Sequence, residues 1–130
     1  MKDILFLTIA EVVEIHSDQI NRYGGSQRIR DMNLLSSAIA MPHVSFHGEF
    51  LHNNIYEMAA AYAFHICKNH PFVDGNKRTA LASALVFLEV NGVNISDPKG
   101  RLYEDMLALT EGKVKKDEFV EILRKLHSIF

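Results

Sequence analysis

The sequence is poor in cysteine and proline and has no long apolar run. It contains one cysteine and three prolines in 130 residues. A single cysteine, Cys67, excludes the internal disulfide that small secreted domains usually need, so we expect a reducing compartment, the cytoplasm. The longest apolar run, residues 80–88, includes Ser83 and falls well short of the roughly 20 residues that span a bilayer. We therefore expect neither a membrane segment nor a signal peptide.

The sequence also lacks an excess of charge of one sign. Fourteen Lys and Arg stand against sixteen Asp and Glu, a net charge of −2. The chain has no overall positive charge to attract nucleic acid, so we expect no nucleic-acid binding. Any anion site must be local. The composition, 48% hydrophobic and 23% charged, excludes a disordered chain. The length fits one domain over residues 1–130.

What the sequence does contain is helical periodicity. Apolar spacing and end signals predict helices over about 9–23, 34–41, 55–69, 76–90, 98–110 and 117–127. The expected N-caps are Thr8, Asp31 or Asn33, Asn54 and Asp97. Residues 43–53 lack this period and have near-alternating apolar positions, which predicts a flap or short hairpin. The fold class is therefore all-α, a compact six-helix bundle with a small flap near residues 43–53, and helix 76–90 is expected at its centre.

One interhelix segment carries most of the chemistry, and it reads HPFVDGNKR over residues 70–78. His70 supplies an imidazole that can accept a proton, and Asp74 is a hard oxygen ligand suited to Mg²⁺. A glycine turn then leads into a helix whose N-terminus carries Lys77 and Arg78, an arrangement that attracts phosphate. The spacing alone fits a phosphate site and a plain polar turn about equally.

This segment resembles the motif of the Fic/Doc superfamily. Fic proteins have H-x-F-x-D/E-G-N-G-R-x-x-R and the Doc branch has H-x-F-x-D-x-N-K-R. The residues that match both forms are His70, Phe72, Asp74, Asn76 and Arg78. Lys77 matches Doc, whereas Gly75 is the Fic choice at a position where Doc proteins often have alanine. Leu81 replaces the last Fic arginine, so the assignment to the Doc branch depends mainly on Lys77.

The resemblance implies a Fic/Doc-type bundle and a role for each motif residue. His70 would be the general base on a protein hydroxyl, Asp74 would bind Mg²⁺, and Phe72 would anchor the loop. The phosphates of ATP would lie against Gly75, Asn76, Lys77 and Arg78. A Doc-like toxin would transfer the γ-phosphate of ATP to a protein target, elongation factor Tu, and arrest translation until an antitoxin protein binds.

Two other functions fit the same residues. A Fic-type enzyme would transfer AMP from the same nucleotide, and a noncatalytic all-α interaction module would use the basic helix end to hold an acidic partner. The flap histidines, His43, His47 and His52, have no recognised zinc spacing and are expected to be surface or docking residues. His16 is expected at the edge of the core.

Overall fold

The computed structural model describes residues 3–128, and within that range the chain forms six α-helices and four very short strands. The helices are α1 (Ile9–Tyr23), α2 (Met32–Ala40), α3 (Ile55–Asn69), α4 (Asn76–Val90), α5 (Leu102–Thr110) and α6 (Lys116–Lys125). The strands are β1 (Ser45–Phe46), β2 (Glu49–Phe50), β3 (Asn94–Ile95) and β4 (His127–Ser128). The predicted all-α, six-helix fold is confirmed.

The starts of the first three helices follow from local capping. The Thr8 hydroxyl accepts from the Glu11 amide while the Glu11 carboxylate accepts from the Thr8 amide, which completes a capping box at α1. The Asp31 carboxylate accepts from Leu34 N–H at α2, and the side chain of Asn54 caps α3. Each such cap is typically worth about 1 kcal/mol, which explains why these starts agree with the sequence.

The centre of the bundle is α3, not α4 as the sequence predicts. Every residue from Met58 to Ala63 is buried, and α3 packs on α2, α4, α5 and α6. Four alanines in this stretch let neighbouring backbones approach closely from several sides. Helix α4 is buried on one face only, because Leu81, Leu85 and Val86 are partly exposed. Most of the buried apolar side chains in the described residues form one continuous core.

The predicted flap is present, whereas helix α5 starts later than the local sequence predicts. Strands β1 and β2 pair antiparallel through a His47-Gly48 turn in which both residues have positive φ, at 52° and 80°, so the predicted flap is a tight hairpin. Helix α5 begins at Leu102, later than predicted from Asp97. The Asp97 carboxylate still accepts from the Arg101 and Leu102 amides, but across an intervening turn.

Helix α6 ends at Lys125 instead of His127, because the chain leaves the helix to form β4. Strand β4 pairs antiparallel with β3, so His127 lies opposite Ile95. This pairing joins residues more than 30 positions apart and has no local sequence signal. No helix in residues 3–128 is long and apolar enough to cross a membrane.

His52, at the end of the flap segment, and His65, on α3, are both half-buried. The Nε2 atoms of His52 and His65 are both buried and have no hydrogen-bond partner among the described residues. Burial, together with the charges of Lys116 and Lys68 and the neighbouring His52, lowers the pKa of His65 to about 4. Burial and Lys116 also lower the pKa of His52, against an opposing effect of Glu57. Both rings are therefore neutral in the folded protein near pH 7.

These histidines predict that acid destabilises the protein. Below a pH of about 6.5 the unfolded chain protonates at His65 while the folded chain does not, so the free energy of unfolding decreases as pH falls from about 6.5 to about 4. Solvent screens part of this effect, because the ring is only half-buried. In urea titrations across that range, we therefore expect the decrease to be smaller in His65→Leu than in wild type by roughly 1–3 kcal/mol. His47→Gln removes a histidine from the exposed flap turn and is the control, and it should change the slope less than His65→Leu does. An unchanged slope in His65→Leu would contradict the assignment.

Candidate active site

The six predicted site residues line one pocket of about 460 Å³ between α1, α4 and α5. These residues are His70, Asp74, Gly75, Asn76, Lys77 and Arg78. The remaining wall comes from the end of α1 and the turn after it, including Tyr23 and Gly25, from Val73, and from Tyr103 on α5. The pocket therefore combines an imidazole, a carboxylate and a helix N-terminus.

His70 lies at the point where α3 ends. Its amide donates to the Ile66 carbonyl at 3.2 Å, and its backbone is left-handed, with φ of 51° and ψ of 54°. A non-glycine residue rarely adopts this conformation, although histidine does so more often than most. Its side chain is exposed, so the imidazole is accessible to a reactant.

The loop from His70 to Asp74 is fastened to the segment that joins α1 to α2. The Pro71 carbonyl accepts from the amides of Arg30 and Asp31 at 2.7 and 3.0 Å. The Val73 amide donates to the Arg28 carbonyl at 3.0 Å, so the two segments pair like a short ladder around Phe72. A loop held in this way keeps its side chains in place, which a catalytic site requires.

Phe72 anchors the loop in the core. Its ring is fully buried and stacks on His16 with a centroid distance of 3.8 Å. His16 Nε2 lies 2.8 Å from the Asp74 carbonyl, which can only accept, so Nε2 carries the proton. Burial lowers the pKa of His16, which keeps the ring neutral. The sequence predicts His16 at the edge of the core, whereas the structure buries it almost completely, with its Nε2 hydrogen-bonded.

Asn76 closes the loop with its side chain. Its Oδ1 accepts from Phe72 N–H and its Nδ2 donates to the Phe72 carbonyl, both at 2.9 Å, and the residue is buried. Because the side-chain amide is occupied by these two bonds, the group of Asn76 that can bind a phosphate is its backbone N–H at the start of α4. The side chain explains why asparagine suits this position.

Asp74 presents a carboxylate that is only partly occupied. Its Oδ2 accepts from Ser26 N–H at 2.8 Å, whereas Oδ1 has no hydrogen-bond partner among residues 3–128. The carboxylate is exposed, and it forms none of the ion pairs seen in that range. One hard oxygen is thus available to a cation at the pocket.

Two glycines allow α1 to approach the motif. A Cβ on Gly25 would lie 2.9 Å from the Asp74 Cβ, and one on Gly75 would lie 2.9 Å from Ile20 Cδ1. Both also have positive φ, 117° and 79°, which disfavours any side chain. At Gly75 the positive φ is the stronger reason for glycine, because Ile20 Cδ1 is the end of a flexible side chain that can shift.

Helix α4 starts without a side-chain cap in the part of the chain that the structure describes. The first free N–H groups of this 15-residue helix therefore open onto the pocket, where they and the helix dipole favour an anion. Lys77 is exposed beside them. The Arg78 guanidinium lies between two rings, 3.9 Å from the centroid of Tyr23 and 4.5 Å from that of Tyr103. The two tyrosines hold this cation at the helix end.

Comparison with known proteins agrees with this geometry. The family model described as Fic/DOC matches residues 6–88, well over half of the chain. The chain belongs to the Fic/Doc family. It is similar to a protein named protein kinase doc from Escherichia phage P1, with 31% identity over 117 residues that cover 90% of this chain and 91% of the relative. It is also 40% identical over 74 residues to a protein named toxin Doc from Mycolicibacterium smegmatis, a match that spans 57% of each protein.

These relatives place the chain in the Doc branch of the family, as Lys77 predicts. The Fic/Doc motif residues are brought together as expected, although their individual roles stay predictions. Sequence reasoning missed the Ser26 amide on Asp74, the guanidinium of Arg30 and the tyrosine pair around Arg78. Tyr103 lies beyond the segment that the Fic/Doc model matches, and no local pattern marks it.

Proposed function

We propose that the chain is a Doc-like toxin that transfers the γ-phosphoryl group of ATP to a hydroxyl group of a protein target. The observation that carries this proposal is the convergence of His70, Asp74 and the uncapped N-terminus of α4 in one pocket. A noncatalytic module that only held an acidic partner would not need a base and a carboxylate beside the same helix end. The name of the phage P1 relative supports kinase activity.

In the proposed reaction the target hydroxyl oxygen attacks the γ-phosphorus of ATP. The bond between that phosphorus and the bridging oxygen breaks, ADP leaves, and the hydroxyl proton passes to the imidazole of His70. The backbone N–H groups at the start of α4, together with Lys77 and Arg78, hold the phosphates. The rigid loop around Phe72 keeps the base and the phosphate site at a constant separation.

The donor set at Asp74 fits Mg²⁺ carried by a nucleotide. Within residues 3–128, no three His, Cys, Asp or Glu side chains are grouped so that they could hold a metal ion. A metal site built only from protein ligands is therefore not formed there. Mg²⁺ usually binds through one or two carboxylates together with substrate phosphates, which matches the single available oxygen of Asp74. When bound, the ion neutralises negative charge on the phosphate oxygens.

The proposed target is elongation factor Tu, and the proposed regulator is an antitoxin protein. Both proposals come from the resemblance to Doc toxins, and the names of the two relatives support the toxin assignment. Phosphorylation of a translation factor would arrest protein synthesis, so the proposed site of action is the cytoplasm. Binding of the antitoxin would relieve the arrest.

The alternative within the family is AMP transfer, and Lys77 distinguishes the two reactions. A lysine side chain at this position fills space that a glycine leaves open for a phosphate in Fic proteins, and it adds a positive charge. ATP would then bind with its γ-phosphate nearest His70, which leads to phosphoryl transfer. The same positions in a Fic protein would bring the α-phosphate to the base.

The variant Lys77→Gly tests this difference. It restores the Gly-Asn-Gly-Arg form from Gly75 to Arg78, so we expect weaker phosphoryl transfer and a partial gain of AMP transfer, because Leu81 still replaces the last Fic arginine. Elongation factor Tu is incubated with each protein, Mg²⁺ and ATP labelled at the α or the γ position. Wild type should transfer only the γ label. Transfer of the α label by wild type would establish the Fic-type reaction instead.

A further inference from the structure

Arg30 joins the segment before α2 to the end of α3, where His70 follows the last helical residue. Its Nε donates to the His70 carbonyl at 2.7 Å and its Nη2 donates to the Asn69 carbonyl at 3.0 Å. Its backbone N–H also donates to the Pro71 carbonyl at 2.7 Å. One residue thus binds three consecutive carbonyls across the joint between α3 and the motif loop.

These bonds are made at the end of α3, where backbone carbonyls lack partners within the helix. The last carbonyls of a helix have no partner within the helix, and glycine usually occupies the left-handed position that follows. Here His70 has φ of 51°, and a non-glycine residue in that conformation persists only when its surroundings hold it. The donors of Arg30 supply bonds to the His70 carbonyl and to the carbonyl before it, so they oppose relaxation of this turn.

We propose that Arg30 is a positioning residue that holds the His70 backbone in its left-handed turn, so that the imidazole stays within reach of the phosphate site. Arg30 is not among the residues that line the pocket, whereas His70 is, so Arg30 acts through the backbone of His70 and not on the substrate. The inference rests on the proposed function, because it takes His70 as the general base.

The two bonds need the shape of a guanidinium and not only its charge. The Nε and Nη2 donors lie in one plane at a constant separation, which suits two neighbouring carbonyls. A lysine ammonium retains the charge but has no rigid pair of donors. Arg30→Lys should therefore lie between wild type and Arg30→Gln in every measurement that reports the His70 turn.

The matched control is Arg28→Gln. Arg28 lies in the same segment and is exposed, and its side chain makes no hydrogen bond among the described residues. The variant Arg28→Gln removes one positive charge, as Arg30→Gln does, from nearly the same place. A difference between the two variants then reports the bonds to the helix end and not the local charge.

The experiment measures kinetics and backbone protection in the full chain. For Arg30→Gln we expect kcat for phosphoryl transfer to fall roughly 10- to 100-fold, because a small displacement of a base has a large effect on rate. The KM for ATP should stay within about twofold of wild type, since the phosphate site is intact. Arg28→Gln should leave both constants unchanged.

A second measurement does not depend on activity. The His70 amide donates to Ile66 O across the end of α3, so its hydrogen exchange reports whether the turn is held. Exchange at His70 should be about tenfold faster in Arg30→Gln than in Arg28→Gln, with Arg30→Lys between them. Should Arg30→Gln prove poorly folded by circular dichroism, the comparison is made with Arg30→Lys.

The outcomes separate this inference from the proposed function. Wild-type kcat in Arg30→Gln, or unchanged exchange at His70, would overturn the positioning role. A loss of kcat equal to that in Arg28→Gln would also overturn it, because charge alone would then account for the effect. If wild type itself transfers no phosphoryl group, the proposed kinase function fails, while the exchange measurement still decides whether Arg30 holds the turn.

Discussion

His70→Ala should reduce the rate of phosphoryl transfer about 10²- to 10⁴-fold, the usual contribution of a general base. The imidazole is exposed in the pocket and packs no core, so its removal should leave the helical fold intact. Binding of ATP should also persist, because the phosphate donors lie at the start of α4 and not on His70. The measurements are initial rates with elongation factor Tu, affinity for ATP and the thermal unfolding temperature.

The control for this prediction takes account of the unusual backbone at His70. Alanine tolerates the left-handed conformation poorly, so His70→Ala removes the base and also disfavours the turn. Asparagine tolerates it better and cannot act as a base near neutral pH, so His70→Asn separates the two effects. Both variants should lose the same large share of activity. Near wild-type activity in His70→Asn would contradict the role of His70 as the base.

Asp74→Ala should lower phosphoryl transfer by at least about 100-fold and relieve growth arrest in cells that express the protein. The physical reason is that a metal at transferring phosphates contributes several kcal/mol to the transition state, and each 1.36 kcal/mol is tenfold in rate. The dependence of ATP affinity on Mg²⁺ should weaken in the same variant. Calorimetry with and without Mg²⁺ measures this directly.

The Asp74 carboxylate also accepts from Ser26 N–H, so alanine would remove a structural bond together with the charge. Asp74→Asn retains an acceptor oxygen for Ser26 and removes only the charge. We expect it to unfold at nearly the wild-type temperature and to be as inactive as Asp74→Ala. Growth arrest that persists in both variants would show that toxicity comes from binding and not from Mg²⁺-dependent transfer.

The elements that the sequence predicts well are those determined by neighbouring residues. Thr8, Asp31 and Asn54 cap helices whose first turn lies beside them, and the motif residues are nine consecutive positions in one loop and helix start. The delayed start of α5 and the β3–β4 pair were not predictable in the same way. Strand β4 forms by pairing with β3, which is far away in sequence.

The same distinction applies to the candidate site. The positions of His70, Asp74 and Lys77 follow from one contiguous motif, whereas the residues that support them come from other elements. Arg30 bonds to a carbonyl 40 positions away, and Tyr103 reaches Arg78 from a helix outside the motif. Arginines and tyrosines in such places have many possible surface roles. Only the fold shows which of them contact the motif.

The most direct test of the kinase proposal is the intact mass of elongation factor Tu after incubation with this protein and Mg-ATP. We expect a gain equal to one phosphoryl group, absent when His70→Asn replaces the wild-type protein. A gain equal to one AMP group, or an unchanged mass when wild type arrests translation in the same extract, would contradict it.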